Sequence, residues 1–165
     1  MTLLLVRHAH AGNPERWRGD DRLRPLSKTG QVTARALATV LAPYNPRRIV
    51  SSPYVRCVQT VEPLASELGI DIETDERLGE GGAGLDEELV ASLITTSGRR
   101  DAAVCVTHGD LIANFIMDLE ASGVPLSRHE PRWEKGSTWV LSAGEQSHIA
   151  KATYIAPPII APPIT

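Results

Sequence analysis

Short apolar runs that stop abruptly at polar residues alternate along this chain with stretches of helical spacing, and that alternation constrains the fold most. Leu3-Leu4-Leu5-Val6 stops at Arg7-His8, Arg48-Ile49-Val50-Ser51-Ser52 stops at Pro53, and Ala102-Ala103-Val104-Cys105-Val106-Thr107 stops at His108-Gly109-Asp110. An apolar run with no polar alternation is how a strand buried on both faces reads. Between the runs, Ser27 is placed to cap a helix over Gln31–Leu41 that ends at Pro43. Ser52 and Pro53 read as the cap and first position of a helix running to Leu68, where Gly69 stops it. Further helices are expected from Asp86 to Thr96 and from Leu111 to Ala121, and a short edge strand over Ile70–Glu73. Residues 137–142 and 147–154 read as an antiparallel pair turning near Ala143-Gly144. The order β-α-β-α-β-α-β-α-β-β predicts an α/β protein, a three-layer α/β/α sandwich around a mainly parallel central sheet.

In such sheets ligands bind just beyond the carboxyl ends of the strands. Arg7 and His8 follow the first strand, Arg56 opens the helix after the second, and His108 follows the third long apolar run. Four groups distant in the chain are thereby sent to one edge. Two guanidiniums can share the nonbridging oxygens of a phosphoryl group through charge-assisted hydrogen bonds. A histidine with one free ring nitrogen can attack phosphorus and divide the transfer into two easier steps. A second histidine, acting as a donor, can stabilise charge on the equatorial oxygens. An alkoxide leaving group must be protonated as it departs. Glu80, among the glycines of Leu78-Gly79-Glu80-Gly81-Gly82, is the first candidate, with Glu87 or Glu88 as alternatives. This chemistry needs no metal and no organic cofactor.

The chain has 165 residues, enough for one domain with a sizeable core. Lys+Arg 17 against Asp+Glu 20 gives a net charge of -3, which argues against binding a nucleic acid polymer or an anionic membrane. The only cysteines, Cys57 and Cys105, form no C-x-x-C pair, so two reduced thiols are expected rather than a disulfide framework. Neither has an arginine six positions on, as a cysteine phosphatase loop would; those positions hold Pro63 and Leu111. No secretory leader pattern opens the sequence and no apolar run nears the ~20 residues of a membrane span. A cytoplasmic protein is expected.

Leu5-Val6-Arg7-His8-Ala9, Ser51-Ser52-Pro53-Tyr54-Val55-Arg56-Cys57-Val58-Gln59-Thr60, Leu78-Gly79-Glu80 and Val106-Thr107-His108-Gly109 together resemble the motifs of the histidine phosphatase (phosphoglycerate mutase-like) superfamily. Arg24-Pro25-Leu26-Ser27 and the compact size resemble its small phosphohistidine phosphatase branch. Lys135-Gly136-Ser137-Thr138-Trp139 is similar to the phosphatase domain that follows a Nudix domain in some actinobacterial proteins, although no Nudix box is present. The resemblance implies a phosphoglycerate mutase-like fold and a metal-independent phosphatase. It implies His8 as phospho-acceptor, Arg7, Arg56 and His108 as the phosphate pocket, Glu80 as proton donor, and Arg24 near the phosphate. The usual Arg-His-Gly reads Arg7-His8-Ala9 here, and the insertions that shape sugar-phosphate recognition in mutases are absent. Phosphohistidine on a protein is the first substrate expected, then a small phosphomonoester or nucleotide.

Two rival classes are also compatible with the sequence. His8-x-His10 is also how some metal-dependent hydrolases begin, though their barrels need ~250 residues. A catalytically silent phosphate-binding module is the other. The loop 13–25, with Arg16, Arg18, Arg22 and Arg24 among acids, reads first as a solvated loop with local ion pairs and, as the alternative, as a mobile rim that meets a substrate anion. His10, His129 and His148 are read as surface or structural, and Trp17, Trp133 and Trp139 as packing residues. A phosphatase domain over residues 1–154 is expected to precede a tail, 155–165, that repeats Ala-Pro-Pro-Ile. Proline at that density favours an extended conformation. The tail's isoleucines, Ile159 and Ile160 among them, are expected to pack on the domain or on a second copy in a homodimer.

Overall fold

The computed structural model describes residues 1–95, 100–127 and 132–160. Six strands form one sheet: β1 (Thr2–Arg7), β2 (Pro46–Ser51), β3 (Ile72–Thr74), β4 (Ala102–Thr107), β5 (Thr138–Ala143) and β6 (Ile149–Ile155). Their spatial order is β3-β2-β4-β1-β5-β6. The β3-β2-β4-β1 portion is parallel, and β5 pairs antiparallel with both β1 and β6. The expected α/β architecture is therefore present, with an edge strand that starts at Ile72 rather than Ile70 and a closing antiparallel pair shifted by one or two residues from the expected bounds.

The sheet is covered on both faces by α1 (Lys28–Leu41), α2 (Val55–Leu68), α3 (Glu87–Thr95) and α4 (Gly109–Ala121). Leu4, Val6, Ile49, Val104 and Val106 pack under α1 and α2, whereas Leu3, Leu5, Val50 and Cys105 pack under α3 and α4. Leu3, Leu4, Leu5 and Val6 have no exposed surface at all. Each such side chain is worth about 1.5–3 kcal/mol over its exposed state, so β1 has strong reason to lie inside the sheet.

Ser27 caps α1 as expected, accepting from the Gly30 N–H at 3.0 Å, but the helix starts three residues earlier than its apolar spacing showed. Gly69 ends α2 in the left-handed conformation, φ 65°, where glycine carries no Cβ penalty. The expected Ser52–Pro53 cap is corrected: Tyr54 is the cap residue and α2 begins at Val55. Ser52 is drawn instead into the sheet edge by its N–H bond to the Val106 carbonyl, 2.9 Å. Loop 13–25 holds two 3-10 turns, Pro14–Arg16 and Asp21–Leu23, capped by Asn13 and Asp20. A bidentate Arg22–Glu76 pair ties this loop to the segment leading toward Glu80.

The chain leaves β6 along its own domain, with Ile155 against the core and Pro157 close to Gly136. The packing expected for the tail does not extend to Ile159, which is 99% exposed; Ile160 is half-buried. The end of that repeat, residues 161–165, lies outside the described residues, as do Thr96 and His129. No described helix is long and apolar enough to cross a membrane.

Candidate active site

Three strand ends are laced together at one rim. The His8 N–H bonds to the Thr107 carbonyl at 3.1 Å and the Ser52 N–H to that of Val106 at 2.9 Å. Arg7 and Thr107 stand in register, as do Ser51 and Val106. The residues that follow each strand therefore share one level. Thr60 of α2 accepts the Ala9 N–H at 3.0 Å and donates to the Arg56 carbonyl at 2.7 Å, which locks the exit of β1 to the helix carrying Arg56. Thr107 donates to the Leu78 carbonyl at 2.7 Å and pins the loop carrying Glu80 to the end of β4.

His8 and His108 lie 5.4 Å apart, ring centroid to centroid, in an edge-on arrangement. His8 Nδ1 is 2.8 Å from the Ala9 carbonyl oxygen. A carbonyl only accepts, so Nδ1 holds the hydrogen and Nε2 presents its lone pair. Burial above all, with the positive Arg56 and Arg7 and, once protonated, His108 adding to it, pushes the His8 pKa down to about 3. At neutral pH the ring is uncharged, the state a nucleophile needs.

His108 is 2% exposed. Its Nε2 meets the Ser52 hydroxyl at 2.9 Å, and that hydroxyl also accepts the Tyr54 N–H at 3.3 Å. Its Nδ1 has no hydrogen-bond partner and faces Oε1 of Glu80, an acceptor, at 3.5 Å. Both neighbours place the ring hydrogen on Nδ1, with Ser52 donating to Nε2. Burial, followed by the charge of Arg56, lowers the His108 pKa to about 4, so this ring too is neutral.

Arg56 is fully buried. It donates to the Asp21 carbonyl at 2.8 Å, to Asp21 Oδ2 at 3.0 Å and to Glu80 Oε1 at 2.8 Å, and its guanidinium lies 4.8 Å from the Tyr54 ring centre. Its Nε has no partner. Arg7 donates through Nη1 to the Trp133 carbonyl at 2.8 Å, and its Nε is likewise buried and unpaired. Room for this guanidinium comes from Gly109: a Cβ there would stand 2.7 Å from Arg7 Cζ. Arg7, His8, Arg56, Glu80 and His108 thus come together as the sequence predicted. Arg24 joins at one remove. Its Nε binds Asp21 Oδ1 at 2.8 Å while Arg56 holds Oδ2, and its Nη1 binds the Ala11 carbonyl at 2.7 Å. Glu87 and Glu88 instead line a separate cavity of about 550 Å³ between α3, α4 and the β5–β6 turn. His10 diverges from His8, exposed and bonded to Ser27 Oγ at 2.7 Å.

Four participants were not legible beforehand: Asp21, Ser52, Tyr54 and Lys135. Tyr54 stands edge-on to His108, centroids 4.7 Å apart, as well as beneath Arg56. Lys135 occupies a turn closed by the Ser137 N–H to the Glu134 carbonyl, 2.9 Å, with Gly136 at φ 80°. The Gly136 N–H reaches the carbonyls of Arg7 and His8, 3.2 Å each, so the turn is seated on the site itself. Partial burial, then the charges of Arg7, Arg24 and Arg56, lowers the Lys135 pKa, which marks it as a fourth cation of the same cluster.

Two neutral imidazoles and two guanidiniums with spare donors are gathered at the rim of a mainly parallel sheet, an arrangement whose chemistry suits an anion. The chain belongs to the histidine phosphatase superfamily (branch 1), whose family model matches residues 3–97. It is 35% identical over 158 residues to the 8-oxo-(d)GTP phosphatase of Mycolicibacterium smegmatis, covering 95% of this chain and 48% of that one. The chain thus spans about half the length of this curated relative. Among solved structures, the protein histidine phosphatase SixA complexed with tungstate superposes with a TM-score of 0.69 at 20% identity, over 94% of this chain and 95% of that one. A mycobacterial glucosyl-3-phosphoglycerate phosphatase with VO3 gives 0.63 at 22% identity, over 86% and 92%. These two likenesses establish the phosphoglycerate mutase-like fold.

Proposed function

We propose that this protein is a metal-independent phosphatase that works through a phosphohistidine on His8. The observation that carries the reading is the set of three buried, unpartnered donors, Arg7 Nε, Arg56 Nε and His108 Nδ1, around a neutral His8. A buried donor without a partner costs about 1–3 kcal/mol, so a site with three of them is made for an acceptor-rich ligand such as a phosphoryl group. His8 Nε2 attacks phosphorus as the bond to the leaving oxygen breaks, and Glu80 supplies that oxygen with a proton. Water then attacks the phosphohistidine, returning a proton to Glu80 and releasing inorganic phosphate. Arg7, Arg56 and His108 hold the equatorial oxygens throughout, and Arg24 supports Arg56 through their shared Asp21 carboxylate.

The substrate carries its phosphate on an exposed group, since Glu80 is half-exposed and no long insertion covers the rim among the described residues. Phosphohistidine on a protein fits such a mouth, and the fold likeness to SixA supports it. A nucleotide fits better, on a specific ground: the relative at 35% identity is an 8-oxo-(d)GTP phosphatase, and Lys135 adds a cation beside the phosphate pocket. The test is rapid-quench labelling with a chromogenic aryl phosphate. An acid-labile, alkali-stable phosphoenzyme should form, and both it and turnover should vanish in His8→Ala yet persist in EDTA. Turnover by His8→Ala at the parental rate would overturn the reading.

A further inference from the structure

Beside the phosphate pocket lies a hollow of about 260 Å³ whose walls include Gly12, Arg16, Trp17, Arg24 and Leu26. Trp17 is the notable member. It was expected to be a packing residue, yet it is 37% exposed. Its indole N–H donates to the Asp20 carbonyl at 2.9 Å, which fixes the plane of the ring. The flanking 3-10 turns are capped by Asn13 and Asp20, and the ring between them faces solvent in part. A large ring anchored through its N–H and left more than a third exposed is a surface for another flat group.

The hollow connects to the reaction site through named contacts. Arg24 forms part of its wall, and Arg24 and Arg56 hold the two oxygens of one Asp21 carboxylate at 2.8 and 3.0 Å. Ala11, also in the wall, is three residues beyond His8. Lys135 stands on the turn seated on the Arg7 and His8 carbonyls. Arg24 thus joins the hollow, with Trp17 and Arg16 in its wall, to the site that holds Arg56, and Lys135 feels the charges of both Arg24 and Arg7.

We propose that the Trp17 hollow is the subsite for the base of a nucleotide substrate, stacked on the indole, with Arg24 and Lys135 facing the charged portion between base and transferred phosphate. This rests on the nucleotide phosphatase reading above and assigns a binding subsite to the base. Stacking of a base on an aromatic side chain tolerates any base, so the subsite selects for a flat heteroaromatic ring rather than one sequence of hydrogen bonds.

The experiment compares kcat/KM for GDP and for glycerol 2-phosphate, which has no ring, in the parent protein, Trp17→Ala and Trp17→Phe. Trp17→Ala should lower the preference for GDP about tenfold, chiefly through KM, and Trp17→Phe should restore most of it. Equal loss on both substrates, or none on GDP, overturns the proposal. So does a loss confined to a phosphohistidine protein substrate, which would make the hollow a protein-docking surface. Absence of turnover on every phosphate ester would defeat the phosphatase reading instead. The subsite is then read separately in His8→Ala, where GDP should quench indole fluorescence and Trp17→Phe should remove that quench; no quench overturns it.

Discussion

Replacing Gly109 by alanine should separate activity from stability. Gly109 opens α4, where alanine is the better helix former by up to about 1 kcal/mol. The added Cβ would lie 2.7 Å from Arg7 Cζ, 2.8 Å from Nε and 3.0 Å from Nη2. The Arg7 backbone cannot yield, because it is paired with Thr107 and bonded to the Ser137 carbonyl at 3.1 Å. The guanidinium must therefore swing, losing its 2.8 Å bond to the Trp133 carbonyl and its place in the proposed phosphate pocket. That bond is worth about 1 kcal/mol to folding, close to what the helix gains, so the melting temperature should hardly change. A charge-assisted contact to the phosphoryl group is worth about 1.5–3 kcal/mol, hence a loss of about 10- to 150-fold in kcat/KM. Aryl phosphate kinetics and thermal melts on Gly109→Ala, Arg7→Ala and the double variant provide the assay. The double variant should be no worse than Arg7→Ala, since both act through one side chain. Full activity in Gly109→Ala, or strictly additive losses, would refute the reasoning.

Three further outcomes are expected. Both His8 and His108 titrate lower in the folded protein than the ordinary value of about 6.5, so the unfolded chain takes up protons first and stability is intact above that pH. It should fall as pH drops toward 4 and then 3, by about 4 kcal/mol for the pair at pH 5, measured as urea midpoints, with each His→Gln change removing part of the dependence. Ser52→Ala should lower kcat with little change in KM by releasing the His108 tautomer, and Ser52→Thr should recover it; equal rates in all three would contradict the hydrogen-bond assignment. Asp21→Ala should destabilise the protein by about 1–2 kcal/mol, because Arg56 is buried while Asp21 is partly exposed. Added phosphate should stabilise that variant more than the parent in thermal melts.

What the sequence by itself determined was the alternation of elements and the residues at their junctions. Strands buried on both faces are apolar without interruption, so β1 and β4 announced themselves, and a parallel sheet sends the residues after them to one rim. Arg7, His8, Arg56 and His108 were legible because each sits next to a local signal. Glu80 was legible only beside its glycines and the family resemblance, since nothing local distinguishes it from Glu87 or Glu88. Tertiary structure alone decided the protonation pattern of His108, through Ser52 and Glu80. It also decided that Ser52 serves a histidine 56 residues away rather than capping a helix, and that Asp21 joins Arg24 to Arg56. Lys135 reached the site the same way, on a turn folded back over Arg7 and His8. Such contacts depend on distance in space between segments far apart in the chain, and no periodicity or cap within a segment encodes them.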